Sequence, residues 1–214
     1  MTARTDKSAA AVILAAGAGT RMGGPKALLE FEGRLLVERA VETASLGGCT
    51  DVLVVLGASA DDVLRRADLH SARIVVNEDW AEGMGSSLRS GLRTLRSIES
   101  SAHDPAIGID AALILLVDQP FVGPPAVRAV LDGWRRGARL AAASYGGRRG
   151  HPVLLGREYW ADAAASAKGD AGARALLTEH AADLVLVPCD ALADARDLDT
   201  PADLLSANRP RQST

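Results

Sequence analysis

The chain has 214 residues with a formal net charge of −3, and it is 48% hydrophobic and 24% charged, enough apolar material for one large domain with a buried core. Its negative balance and an aromatic content of only 3% exclude a broad nucleic-acid face, which needs cations and stacking platforms. Cys49 and Cys189 lie far apart, and His70, His103, His151 and His180 are scattered singly, which excludes a disulfide framework and zinc-ligand spacing and makes a reducing cytoplasm the expected setting.

Arg4 and Lys7 before the apolar run 9–16 imitate a short signal peptide. The run is at the lower limit for one, and a glycine loop carrying Arg21 and Lys26 follows at once, so we expect no secretion. No stretch approaches the length of a transmembrane helix, and no membrane partner is expected.

In chain order, residues 11–16 form a wholly apolar run ended by Gly17, as in a strand buried on both faces. A loop to Lys26 follows, then a helix over 35–46 stopped by Gly47 and Gly48. Residues 52–56 make a second buried strand, 61–69 a short helix and 73–76 a third strand. Residues 86–98 are helical by the spacing of Leu88, Leu92 and Leu95. A polar connection spans 97–110, broken by Pro105 and Gly108. The fourth strand, 112–117, runs into Asp118, Gln119 and Pro120. A helix at 125–135 leads to a strand at 140–145, a Gly/Arg loop at 146–150 and a short strand from Pro152. Helices near 158–165 and 171–180, a strand at 184–187 and a helix at 201–206 close the chain.

Apolar strands separated by amphipathic helices predict an α/β fold, a mostly parallel doubly wound sheet with helices on both faces. We expect a single domain over 9–206, with disordered termini at 1–8 and 207–214. Ligands bind such sheets at the carboxyl ends of the strands, which selects 17–26, Gly57, 77–87 and 118–120.

The strongest signal is the run Leu14, Ala15, Ala16, Gly17, Ala18, Gly19, Thr20, Arg21, Met22, Gly23, Gly24, Pro25, Lys26. Glycines after a buried strand let backbone N–H groups turn toward an anion, and Arg21 and Lys26 add two cations to the same loop. That combination suits a triphosphate. It is not a P-loop, because Pro25 separates Gly24 from Lys26, and not a dinucleotide fingerprint, because Met22 stands at the last glycine position.

The run resembles the signature of the MobA-like nucleotidyltransferases, and its LAAG form is similar to the molybdenum cofactor cytidylyltransferase branch. The likeness extends in order through 77–80, 83–88, 118–120, 150–152, 169–174 and 197–201. The resemblance implies a Rossmann-like, three-layer α/β/α nucleotidyltransferase fold and a Mg²⁺ cofactor. It also implies transfer of CMP from CTP to a phosphorylated small acceptor, the pyranopterin phosphate of molybdenum cofactor. Leu14, Ala15, Ala16, Gly17, Ala18 and Gly19 would contact the nucleotide; Arg21 and Lys26 the triphosphate; Gly85 and Ser86 the base. Asp118, also counted with Arg21 and Lys26 as catalytic, and Asp199 would hold the metal, with Asp197 the alternative to Asp199. Gly150 and His151 would face the acceptor, and a molybdoenzyme or its chaperone would be a transient partner.

Blander roles stay open beside these. Ser86 suits a helix N-cap, and Asp199 could cap the helix that Thr200 and Pro201 begin. Arg148 and Arg149 could bind an anionic acceptor or be solvated, and Asp170 and Arg174 could pair along one helix. The same family also resembles the nicotine blue oxidoreductases, which use NAD(P)H, and a non-catalytic pterin carrier is a third reading.

Overall fold

A computed structural model describes residues 7–69, 71–101 and 108–207. The elements in order are β1 (Ala9–Leu14), β2 (Glu30–Phe31), β3 (Arg34–Leu35), α1 (Leu36–Gly47), β4 (Asp51–Leu56), α2 (Ala60–Arg66), β5 (Arg73–Val76) and α3 (Met84–Ser101). They continue with β6 (Ala111–Leu116), α4 (Pro124–Arg135), β7 (Leu140–Tyr145), β8 (Arg148–Gly156), α5 (Trp160–Ser166), α6 (Arg174–Glu179), β9 (Leu184–Pro188) and α7 (Pro201–Ala207).

The seven-stranded sheet has the order β5-β4-β1-β6-β8-β7-β9. All pairings are parallel except those of β8, which runs antiparallel to both β6 and β7. β1 sits at the middle of the parallel half and is buried throughout. Its alternation decides the layers. Ala9, Ala11 and Ile13 join a core with α1 and α4 through Leu36, Val41, Val127 and Leu131. Ala10, Val12 and Leu14 join a second core with α3, α5 and α6 through Leu88, Leu92, Trp160 and Leu176. Strands buried on both faces lack a polar side, which is why they read as continuous apolar runs.

Local signals stop the elements where chemistry requires. Gly48 adopts a left-handed conformation at φ 102° and ends α1, while Pro124 and Pro125 open α4. Thr200 caps α7: its hydroxyl accepts from the Asp203 N–H at 3.3 Å and its own N–H donates to the Asp203 carboxylate at 2.7 Å. The cap is therefore Thr200, and Asp199 is left for another task.

Several expectations need correction. The short hairpin of β2 and β3 was not foreseen, because two-residue strands carry no periodicity. β1 starts at Ala9 and ends at Leu14, so Ala15 and Ala16 already belong to the loop. Helix α2 ends at Arg66 rather than 69. Residues 97–101 continue α3 instead of starting a connection, whose middle, 102–107, lies outside the described residues. β8 begins at Arg148, so most of the expected Gly/Arg loop is strand, paired at Tyr145 with Arg148 and Ser144 with Arg149. The helix expected over 171–180 splits into a single 3₁₀ turn at Gly169–Ala171 and α6, which removes the Asp170–Arg174 helical pair. Disorder was expected over 1–8 and 207–214. Of these residues 1–6 and 208–214 lie outside the described ones, while Ser8 is fastened by its N–H to Asp110 at 2.8 Å and Ala207 ends α7. Among the described residues no helix is long and apolar enough to cross a membrane.

Candidate functional site

The loop after β1 begins with Ala15, whose N–H donates to the Val55 carbonyl at 2.9 Å and keeps the chain on the sheet for one more residue. It then folds back on itself, because the N–H groups of Met22 and Gly24 both donate to the Gly19 carbonyl. Gly19 makes this possible. Its φ is 61°, and a Cβ there would lie 1.9 Å from the Gly24 carbonyl oxygen. Arg21 rides the Thr20–Met22 turn into solvent, whereas Pro25 directs Lys26 inward.

Lys26 holds the centre of the site. Its ammonium donates to Asp118 Oδ2 at 2.7 Å and to Asp199 Oδ1 at 2.6 Å. Asp118 follows β6, and Asp199 arrives from the segment before α7, which is clamped there by the Leu198 N–H donating to the Asp118 carbonyl at 2.9 Å. Burial alone would lower the Lys26 pKa, but hydrogen bonds and charge from both carboxylates outweigh it and raise it above its ordinary value. Two acids therefore converge on one cation at the carboxyl end of the sheet. Asp197 is oriented differently: Gln119 Nε2 donates to it at 2.7 Å, and burial raises its pKa.

Two clefts adjoin at this edge. The first, about 310 Å³, is lined by Leu14, Ala16, Gly17, Ala18, Gly19, Lys26 and Asp118, faced by Trp80, Met84 and Ser87. The second, about 680 Å³, is lined by Arg148, Arg149, Gly150, His151, Arg174 and Asp197, among others. Met84, Leu116 and Asp170 line both, so the clefts share a wall. Asp170 accepts from the Met84 N–H at 3.3 Å, which ties the turn at 169–171 to the start of α3.

The structure gathers most of the expected residues but not all. Leu14, Ala16, Gly17, Ala18, Gly19, Lys26 and Asp118 share the first cleft, Asp199 meets Lys26 beside it, and Gly150 and His151 line the second. Arg21 lines neither cleft, and Ala15 is buried by its sheet contact. Gly85 and Ser86 also lie behind the surface. A Cβ on Gly85 would come within 2.8 Å of the Ala167–Lys168 backbone, and the Ser86 hydroxyl donates to the Gly83 carbonyl at 2.9 Å. Ser86 is thus no N-cap. It belongs to a buried polar group in which Asn77 Nδ2 donates to Ser86 Oγ at 2.8 Å and Ser87 Oγ at 3.1 Å. Sequence reasoning had passed over Ser87, Met84 and Trp80 as individual residues, although all three fall in the 77–87 stretch after β5 that it selected.

His151 is partly buried, and burial pushes its pKa down to about 4, with Arg149 adding to the effect and Asp118 opposing it. It is neutral at physiological pH. The His151–Pro152 peptide is cis, and the Tyr145 hydroxyl donates to the His151 carbonyl at 2.8 Å.

A mostly parallel α/β/α sheet with an acid pair, a lysine and a glycine loop at one edge defines the class of Rossmann-like nucleotidyltransferase folds. The chain belongs to the family of the MobA-like NTP transferase domain, which it matches over residues 11–193. It is 42% identical over 197 residues to the nicotine blue oxidoreductase of Paenarthrobacter nicotinovorans, covering 88% of this chain and 91% of that protein. Among solved structures it is similar to a homologue of Mycobacterium tuberculosis Rv0371c from Mycobacterium sp. strain JC1, at 31% identity and TM-score 0.77, covering 93% of this chain and 96% of that one. Rv0371c itself, solved in complex with manganese, shares the fold at 24% identity and TM-score 0.75, over 94% of this chain and 98% of that one.

Proposed function

We propose that the protein transfers a nucleoside monophosphate, CMP from CTP, to a phosphorylated small acceptor such as molybdopterin cofactor, with release of pyrophosphate. The observation that carries this reading is the pair of adjoining clefts: one walled by the glycine loop and Lys26, the other by three arginines, with a shared wall between them. A group transfer between two anionic substrates needs two such sites side by side.

The donor set suits a hard divalent cation. Asp118 and Asp199 already converge on one positive charge, and Mg²⁺ typically takes one or two carboxylates and completes its shell with phosphate oxygens and water. These two carboxylates would hold the ion, whose chemistry is to neutralise phosphate charge. The chain's own residues do the rest. Loop N–H groups at 17–19 orient the phosphates, Lys26 stabilises charge moving onto the leaving pyrophosphate, and Arg148, Arg149 and Arg174 hold the acceptor's anion. His151 has no base to supply: an ionised acceptor phosphate is already a nucleophile. The expected setting is cytoplasmic, in keeping with two free cysteines, with transient hand-over to a molybdoenzyme or its chaperone.

The test is pyrophosphate release from CTP in the presence of molybdopterin and Mg²⁺. A second reading, an NAD(P)H-dependent oxidoreductase of the nicotine blue oxidoreductase type, is favoured by the 42% identity to a nicotine blue oxidoreductase. Oxidation of NADPH by a quinoid dye without any divalent cation, and no pyrophosphate from CTP, would replace the first reading with the second.

A further inference from the structure

We infer that Trp80 is the wall against which the nucleobase rests in the first cleft, so that it supplies affinity for any nucleotide while leaving base choice to other groups. The inference rests on the nucleotidyltransferase reading and adds a residue to it.

Trp80 is 37% exposed, whereas Trp134 and Trp160 are 4% and 1% exposed. A large aromatic ring left open to water forgoes the stabilisation its burial would bring, and here the opening faces a cleft. Among the described residues lining that cleft it is the single aromatic; the others are small, aliphatic or charged.

The ring is presented by a fixed piece of backbone. The Asn77 N–H donates to the Leu56 carbonyl at 2.8 Å, the Asp79 N–H to Asn77 Oδ1 at 3.2 Å, and the Gly83 N–H to the Trp80 carbonyl at 3.1 Å. From the other side, a Cβ on Gly57 would fall 2.6 Å from the Trp80 Cβ, so the chain leaving β4 presses directly on the base of this side chain. A pre-set aromatic surface binds a flat ligand with little ordering cost.

Its place in the sheet order also fits. Gly57 follows β4, the glycine loop follows β1 and Asp118 follows β6, three adjacent strands. Neighbouring strands lie roughly 4.8 Å apart, so Gly57, against which Trp80 packs, and Asp118 flank the loop at about two strand spacings. A nucleotide laid across the loop with its phosphates by Lys26 and Asp118 brings its base to Trp80. Every base has a π face, so stacking discriminates little. Discrimination falls to polar groups such as the Ser87 hydroxyl, which lines the same cleft and is oriented by Asn77.

The experiment titrates CTP, GTP and inorganic tripolyphosphate, each with Mg²⁺, into the wild type, Trp80→Phe and Trp80→Ala. Thermal shift and calorimetry read binding, and tryptophan emission reads the ring itself. CTP and GTP should quench a component of the wild-type emission that Trp80→Phe lacks. Trp80→Ala should weaken both nucleotides on the order of tenfold or more, and Trp80→Phe much less. Tripolyphosphate, which has no base, should bind all three proteins equally. If CTP binds but emission stays unchanged and Trp80→Ala binds it as well as the wild type, Trp80 is not the base wall and the transferase reading survives. An equal loss of tripolyphosphate affinity in Trp80→Ala would make Trp80 a prop for the loop and overturn the inference too. If no triphosphate binds the wild type, both fall together.

Discussion

The two halves of the sheet solve different problems. On the β5-β4-β1-β6 side every strand is parallel, and the site at its edge is walled by the glycine loop, apolar side chains including Trp80, and one lysine. On the β8-β7-β9 side a reversed strand brings 148–151 to the same edge, and the site there gains three arginines, Arg148, Arg149 and Arg174. The turn that presents the loop's backbone tolerates no Cβ at Gly19. Side-chain donors tolerate substitution and can be retuned. The first half therefore suits a ligand portion common to many partners, and the second a portion that varies.

That contrast can be broken in four places. Removing Lys26 should cost on the order of 10²-fold or more in turnover, measured as pyrophosphate release, because a preorganised charge at the reacting phosphates is lost. An active Lys26→Ala enzyme would mean that the first cleft is not where chemistry occurs. Next, Gly19→Ala should destabilise the protein by about 1–3 kcal/mol in urea unfolding and loosen nucleotide binding, since φ 61° and the Gly24 carbonyl both oppose a side chain. By comparison, Arg149→Ala should raise the acceptor KM by about tenfold while leaving the CTP-induced thermal shift unchanged. If that variant instead weakens CTP, the two clefts are not separate sites.

The smallest effect concerns His151. Its folded pKa of about 4 lies below the usual value near 6.5, so the unfolded chain binds its proton first as pH falls. The stabilisation is complete above about pH 6.5 and is lost between there and about 4. Relative to His151→Gln, the wild type should lose stability across that window in chemical denaturation. Turnover of a neutral His151 should show no limb near pH 6.5.

Much of the parallel half was legible, because strands buried on both faces leave unbroken apolar runs and the loop after β1 leaves glycines. What was hidden depended on partners distant in sequence. Arg148 and Arg149 read as a loop because charge masks a strand whose pairing to β7 is dictated by the hairpin turn. Ser86 read as a base contact or a cap because nothing local reveals that Asn77 will reach its hydroxyl. Gly85 read as a binding glycine, when its missing Cβ serves the approach of residues 167–168. Lys26 was expected on phosphate; its grip on both Asp118 and Asp199 became visible only once three remote segments met.

That three-way grip has a bearing on how the site is put together. Lys26 is separated from Asp118 by 92 residues and from Asp199 by 173. All strands of the main sheet lie before residue 189, so Asp199 comes from a segment that the sheet's own hydrogen bonds do not hold. The charge pattern at the cleft is completed only when that segment docks, with Leu198 buried in the core and its N–H on the Asp118 carbonyl. The acid pair is thus joined by docking rather than by strand pairing, which makes the packing of Leu198 a condition of the site's charge.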